Sequence, residues 1–241
     1  MKEVISGKAI VQPKYLWFLI LSYSMIIATA NWFDGRLIEL FGLVISPGTL
    51  IFPLSFLISD IITEVYGYKH ARRAIWSALL FNILIIGYGH LLVSLPSPSF
   101  ATNNECFNKL INTDSRIILG SIVAYMLCEP VNSYIVAKMK VLMNGAYVGL
   151  RFVLSTIVAA SIDTIIFVLI AFYGMYSFSD VVDLIINVCA IKILIEILGL
   201  PLSVSLSKYI KRQEQLDMYD DLTDFSLFSM DADYSKQQNR F

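Results

Sequence analysis

The stretch FVLSTIVAASIDTIIFVLIAFY, residues 152–173, decides the fold, because it holds a single charged side chain, Asp163. A helix of about 20 apolar residues crosses the roughly 30 Å hydrocarbon core of a bilayer. Comparable runs lie near 15–33, 46–66, 74–95, 117–137 and 183–206, separated by turn signals such as Asp34-Gly35, Pro96-Ser97-Pro98, Asn144-Gly145 and Gly174. The pattern predicts an all-α polytopic membrane protein, a bundle of about six transmembrane helices over 15–212. Composition agrees: 57% of residues are hydrophobic, 15% are charged, and the mean hydropathy is +0.69. A soluble domain carries about 25% charged residues.

Lysine and arginine set the orientation. If the N-terminus is cytoplasmic, the inner segments hold 14 of the 18 basic residues, among them Lys69, Arg72, Arg73, Lys138, Lys140, Arg151, Lys211 and Arg212. The outer loops hold Arg36, Lys109 and Arg116, and Lys192 lies within the last span. The positive-inside rule then puts both termini in the cytoplasm. A competing reading takes Ala28-Thr29-Ala30 as a signal-peptide cleavage site, leaving five spans with the same C-terminal orientation. Segment 1–14 reads as a short cytoplasmic N-terminus. Segment 213–241, with seven acidic residues from Glu214 to Asp233, reads as a solvated, disordered cytoplasmic tail.

Several chemistries are excluded. The net charge of -1 and the absence of a basic stripe argue against a nucleic-acid partner. Cys106, Cys128 and Cys189 lack paired metal spacing, and His70 and His90 are the only histidines. No phosphate-binding loop, nucleophile elbow or zinc-helix motif occurs, so neither metal, cofactor nor ATP hydrolysis through such a loop is expected.

What the apolar runs should not contain is informative. An ionisable side chain at the centre of a spanning helix costs about 2.5–3.5 kcal/mol or more, and its default reading is functional. Glu129 lies about 18 Å from the outer start of its span, and Asp163 is at a similar depth from the inner start of its own. Lys192 and Glu196 bracket the middle of the last span, so four ionisable groups converge near mid-depth, where carriers place substrates. Asp60 and Glu64 lie closer to the cytoplasm, and Glu64 reaches toward interfacial water. Spacing puts Asp60 with Glu64, Tyr125 with Glu129 and Asn132, and Lys192 with Glu196 on common helix faces. Lys192 and Glu196 read equally as a structural pair, and Asn82 and Asn132 equally as interhelical glue worth about 1 kcal/mol each. Pro130 frees a carbonyl one turn earlier, near Met126. Asp60, Glu64, Arg72 and Arg73 are candidates for gating or coupling, although Arg72 and Arg73 are most simply topology determinants.

The segment Gly48-Thr49-Leu50-Ile51-Phe52-Pro53-Leu54-Ser55-Phe56-Leu57-Ile58-Ser59-Asp60, continued through Thr63-Glu64-Val65-Tyr66-Gly67-Tyr68-Lys69, resembles the hallmark of the YhhQ (VUT) family of bacterial queuosine-precursor transporters. Ala71-Arg72-Arg73, Glu129 with Asn132-Ser133-Tyr134, Arg151 with Ser155-Thr156, Asp163-Thr164, Lys192, and the tail around Glu214 and Asp217 fit the same pattern. The similarity covers most of 15–220; nothing in 221–241 resembles it. It implies an inner-membrane importer of 7-cyano-7-deazaguanine, its aminomethyl form or a related 7-deazapurine, for queuosine in tRNA. A carboxylate accepts the ring N–H and exocyclic amine of a guanine-like edge together. Glu129 or Asp163 suits that edge, Asn132 the carbonyl, and Tyr125, Trp76 or Phe167 the flat face. Lys192, Glu196 and Asn82 complete the candidate substrate set.

Two alternatives stand beside a stand-alone carrier. One is a substrate-binding membrane subunit that relies on an external ATP-driven module. The other is a membrane-embedded enzyme using an acid pair such as Asp60 and Glu64, which lacks any nucleophile–histidine set.

Overall fold

The computed structural model describes residues 13–33, 38–40, 43–45, 47–98, 100–112 and 115–241. Segment 1–12, with Lys2 and Lys8, and the Asp34-Gly35 turn with Arg36 lie outside the described residues. The order is α1 (Leu16–Phe33), a hairpin β1 (Ile38–Leu40) and β2 (Leu43–Ile45), α2 (Pro47–Ile51), α3 (Pro53–Tyr66), α4 (Tyr68–Ser94), α5 (Asn104–Ile111), α6 (Ser115–Leu142), α7 (Val148–Phe172) and α8 (Phe178–Glu214). The hairpin is antiparallel, with Ile38 opposite Ile45 and Leu40 opposite Leu43. Helices make up the rest of the framework, as an all-α membrane protein requires, since a helix satisfies its own backbone polar groups in lipid.

Five helical stretches are long and apolar enough to cross a membrane: Leu16–Phe33, Pro47–Tyr66, Tyr68–Ser94, Arg116–Leu142 and Val148–Phe172. The expected run 183–206 falls inside the 37-residue α8, which packs along α7 and α3. It is the sixth long helix of the bundle. Exposed apolar side chains such as Trp17, Leu21, Leu80, Phe81, Leu84 and Leu198 cover the outside of these helices, the surface a bilayer would solvate.

α3 is the hub. It contacts α1, α4, α6, α7 and α8, and almost every one of its side chains is buried. Its sequence explains this: Ser55, Ser59 and Thr63 repeat every four residues and keep one face small and polar. Ser59 meets Ser133 of α6 at 3.2 Å, while the Thr63 hydroxyl donates back to the Ser59 carbonyl at 2.8 Å. Pro53 stands at the first helical position, where no backbone donor is needed.

α3 and α4 are joined by Gly67 alone, at φ 84° and ψ 170°, a conformation essentially restricted to glycine. α4 therefore begins at Tyr68, six residues ahead of the expected start, and Lys69, Arg72 and Arg73 ride on its first turns instead of a loop. The cause lies at the other end of the chain. Asp220 accepts the Tyr68 N–H at 2.9 Å and Tyr234 Oη accepts the Lys69 N–H at 2.9 Å. They supply the caps that a helix N-terminus needs.

The C-terminal segment departs from the expected disordered tail. Residues 216–241 fold back on themselves, with Tyr219 N–H donating to Gln238 O at 2.8 Å and Arg240 N–H to Asp217 O at 3.0 Å. Arg72 donates to the carbonyls of Asp224, Ser226 and Asp231, and Lys69 pairs with Asp231 at 2.7 Å. Tyr219 and Tyr234 sit against the tight turns at Gly145 and Gly67, where a Cβ would overlap their hydroxyls. Among the acidic residues that suggest solvation, Asp217, Asp221 and Asp231 instead have cationic partners and Asp220 caps α4, while Tyr219 and Tyr234 have turns to pack on. Glu214, at the end of α8, accepts the Tyr15 N–H and the Tyr66 hydroxyl at 2.8 Å each. The start of α1 and the end of α8 therefore share one face of the bundle.

Candidate transport site

Two polar layers cross the bundle. The one nearer the tail centres on Glu64 of α3. Its carboxylate accepts Arg151 of α7 at 2.6 Å and Lys211 of α8 at 2.5 Å, and Glu64 and Arg151 are fully buried. Asp217 of the tail accepts Lys140 at 2.5 Å and Lys211 at 2.8 Å, and Lys140 also donates to the carbonyls of Glu64 and Met218. Burial alone would raise the Asp217 carboxyl, but the two ammonium groups outweigh it and hold it below the usual carboxylate range. Glu64 thus does not reach interfacial water as the sequence suggests. It is the centre of an ion-paired plug.

The second layer lies about one helical turn further along α3. Asp60 accepts the Asn132 amide at 2.6 Å, and Glu129 accepts the Ser55 hydroxyl at 3.2 Å, with Tyr23 and Ser59 also facing it. Asp163 of α7 pairs with Lys192 of α8, the Cys128 thiol donates to the other Asp163 oxygen at 3.5 Å, and the Lys192 ammonium lies 5.0 Å from the centre of the Phe52 ring. The i, i+4 Lys192–Glu196 pair weighed from sequence is not made, because Asp163 takes the lysine. Glu196 is fully buried beside Asp60 and Glu129. Neither of its oxygens has a hydrogen-bond partner among the described residues; the same holds for Asp60 Oδ2, Glu129 Oε2 and Asn132 Oδ1.

The layer therefore brings together Glu129, Asn132, Asp163, Lys192 and Glu196, and adds Asp60, which the sequence places nearer the cytoplasm. Tyr125 borders it: its hydroxyl bonds Tyr23 at 2.7 Å and the Ile75 carbonyl at 3.0 Å. The other candidates stand elsewhere. Asn82 lines a separate cleft. Trp76 donates its indole N–H to the Leu227 carbonyl at 2.7 Å and stacks on Phe228, so the tail covers it. Phe167 packs against Phe172. Arg72 holds the tail, and Arg73 is exposed. Sequence reasoning missed Tyr23, a tyrosine within the apolar run of α1, and Arg151 as the partner of Glu64. Arg151 carries a signal in its buried helical face with Ser155, Ala159 and Asp163.

On the side of the second layer away from the tail, a cavity of about 120 Å³ opens between α1, α4, α5 and α6. Asn31, Asn82, His90 and Ser121 give it polar points on an otherwise apolar wall. Ser121, Tyr125 and Glu129 recur every four residues on α6, so the Tyr23–Tyr125 hydroxyl pair stands between this cleft and Glu129. Among the described residues no group of three or more His, Cys, Asp or Glu could hold a metal ion.

An apolar helical bundle with a buried polar layer, a plug on one side of it and a cleft on the other is the construction of a multi-pass membrane transporter. The chain belongs to the putative vitamin uptake transporter family, whose model matches residues 46–206. It is 26% identical over 183 residues to the probable queuosine precursor transporter of Bacillus subtilis (strain 168), covering 75% of this chain and 79% of that protein. No solved structure matches it.

Proposed function

We propose that this chain is a carrier that imports a 7-deazapurine precursor of queuosine, such as 7-cyano-7-deazaguanine or its aminomethyl form, across the bacterial cytoplasmic membrane. The basic residues Lys69, Arg72, Lys140, Arg151, Lys211 and Arg212 gather at the tail end of the bundle. The positive-inside rule makes that end cytoplasmic. The Tyr15–Glu214 bond puts the start of α1 on the same side.

One observation carries the reading: buried carboxylate oxygens without partners lie in one layer beside Lys192. The Glu129 carboxylate suits the adjacent ring N–H and exocyclic amine of a guanine-like edge. Asn132 donates to Asp60, so the donor for the purine carbonyl is Lys192, whose ammonium carries three N–H groups while Asp163 engages one of its faces. Tyr23 and Tyr125 part to admit the substrate from the cleft, and the Glu64–Arg151–Lys211 plug opens to release it. All six long helices, α8 included, cross the bilayer in this account.

The test is uptake of labelled 7-cyano-7-deazaguanine by cells that cannot synthesise it, with and without the gene. Gene-dependent accumulation that Glu129→Gln abolishes in a well-expressed protein supports the reading. Uptake independent of the gene refutes it.

A further inference from the structure

The observation not used by the purine is Glu196. It projects from α8 into the second layer with no exposed surface and with both carboxylate oxygens unpartnered among the described residues. Its ionisable neighbours come from α3 and α6. Asp60 of α3 and Glu129 of α6 interact with it, and Glu64 lies one turn beyond Asp60 toward the tail; Asp163 and Arg151 on α7 and Lys192 and Lys211 on α8 are held in ion pairs of their own. α2 contributes no ionisable residue.

The cations in this list are already matched. Lys192 is paired with Asp163, and Arg151 and Lys211 with Glu64. Asp60, Glu129 and Glu196 remain as three buried carboxyl groups whose hydrogen-bond donors are the neutral Asn132 and Ser55, with Ser59 and Tyr23 facing Glu129. Like charges this close, out of water and without a counter-cation, do not all ionise. They hold protons as a coupled set. Within the set, Asp60 and Glu129 each have a hydrogen-bond donor that favours the ionised form, whereas Glu196 has none.

We infer that Glu196 is the proton-carrying residue of a proton-coupled import cycle, and this rests on the carrier reading above. With the cleft side open, Glu196 takes a proton from water and one carboxylate oxygen gains an O–H bond. The neutral layer then tolerates closure around the purine. When the plug side opens, the O–H bond breaks and the proton leaves to cytoplasmic water with the substrate. Each turnover moves one proton and one purine in the same direction, and no other reactant is consumed.

Two measurements on the purified full chain test this. The first is infrared spectroscopy of the substrate-free protein in lipid at neutral pH. A protonated-carboxyl carbonyl band that is lost or reduced in Glu196→Gln supports the assignment; an unchanged band overturns it. The second is uptake of labelled 7-cyano-7-deazaguanine into proteoliposomes. An inside-alkaline pH gradient is expected to raise wild-type accumulation several-fold above the level without a gradient. Glu196→Gln is expected to lose that rise while still exchanging substrate measurably above empty vesicles, and Glu196→Asp to retain part of it. Exchange without any response to the gradient in the wild type overturns the proton inference and leaves the substrate reading intact. No exchange at all in the wild type overturns the substrate reading, and the infrared result then decides Glu196 alone.

Discussion

Arg151 and Glu64, 87 residues apart in sequence, meet at 2.6 Å with neither side chain exposed, and Lys211 holds the other oxygen of the same carboxylate. Burying charges is costly, and breaking a buried pair by removing one partner typically costs about 3–5 kcal/mol. Arg151→Ala is expected to lower the detergent-solubilised melting temperature sharply. Arg151→Lys, which keeps the charge but not the planar fork, is expected to lose less. A thermal-shift series on the three proteins checks the order.

The tail is a structural part of the tail-end face. Gly67→Ala places a Cβ on the Tyr234 hydroxyl in a backbone conformation that costs a non-glycine residue about 1–3 kcal/mol. The expected result is faster amide exchange at the start of α4 and faster proteolysis after residue 216. Asp220→Asn, which keeps the shape but removes the charge from the α4 N-terminus, is expected to show a milder version of the same effect.

Tail docking has a pH dependence with a definite sign. The Asp217 carboxyl is held below its ordinary value in the folded chain by Lys140 and Lys211. A group depressed in this way contributes stability that is present above the unfolded value, about 3.9, and is lost as pH falls through the lower folded value. Protease sensitivity of residues 216–241 is expected to stay low from neutral pH down to about pH 4 and to rise below it. Asp217→Asn is expected to be more sensitive already at neutral pH and to lack the Asp217 contribution to the acid rise.

Asp163 and Lys192 are expected to depend on each other. Asp163→Asn leaves a buried lysine without its carboxylate, and Lys192→Gln leaves the converse, so each single variant is expected to lose both stability and uptake. The double variant Asp163→Asn with Lys192→Gln is expected to recover stability beyond the sum of the single effects, without recovering uptake. A double-mutant cycle on melting temperature, run beside the uptake assay, separates the two.

Much of the fold was legible because apolar runs report membrane spans directly. The turns at Asn144-Gly145 and Gly174 were legible because positive φ selects their residues: Asn144, Gly145 and Gly174 all adopt it. The gathering of Glu129, Asp163, Lys192 and Glu196 followed from depth, which rise per residue converts into position. Partner choice did not follow. Whether Lys192 meets Glu196 on its own helix or Asp163 on the next depends on how α7 and α8 rotate against each other, which no spacing within one helix encodes. The tail was misread for a related reason. Composition registers the charge of Asp217, Asp220 and Asp231 but not the Lys140, Tyr68 N–H and Lys69 that meet them across more than 70 residues.

The most direct measurement of the central claim is queuosine in tRNA. Cells unable to make the deazapurine but able to use it are fed 7-cyano-7-deazaguanine, with the wild-type gene, the Glu129→Gln gene or no gene. The account predicts queuosine with the wild-type gene and background levels in the other two. Equal queuosine in all three, or full queuosine with a well-expressed Glu129→Gln protein, would contradict it.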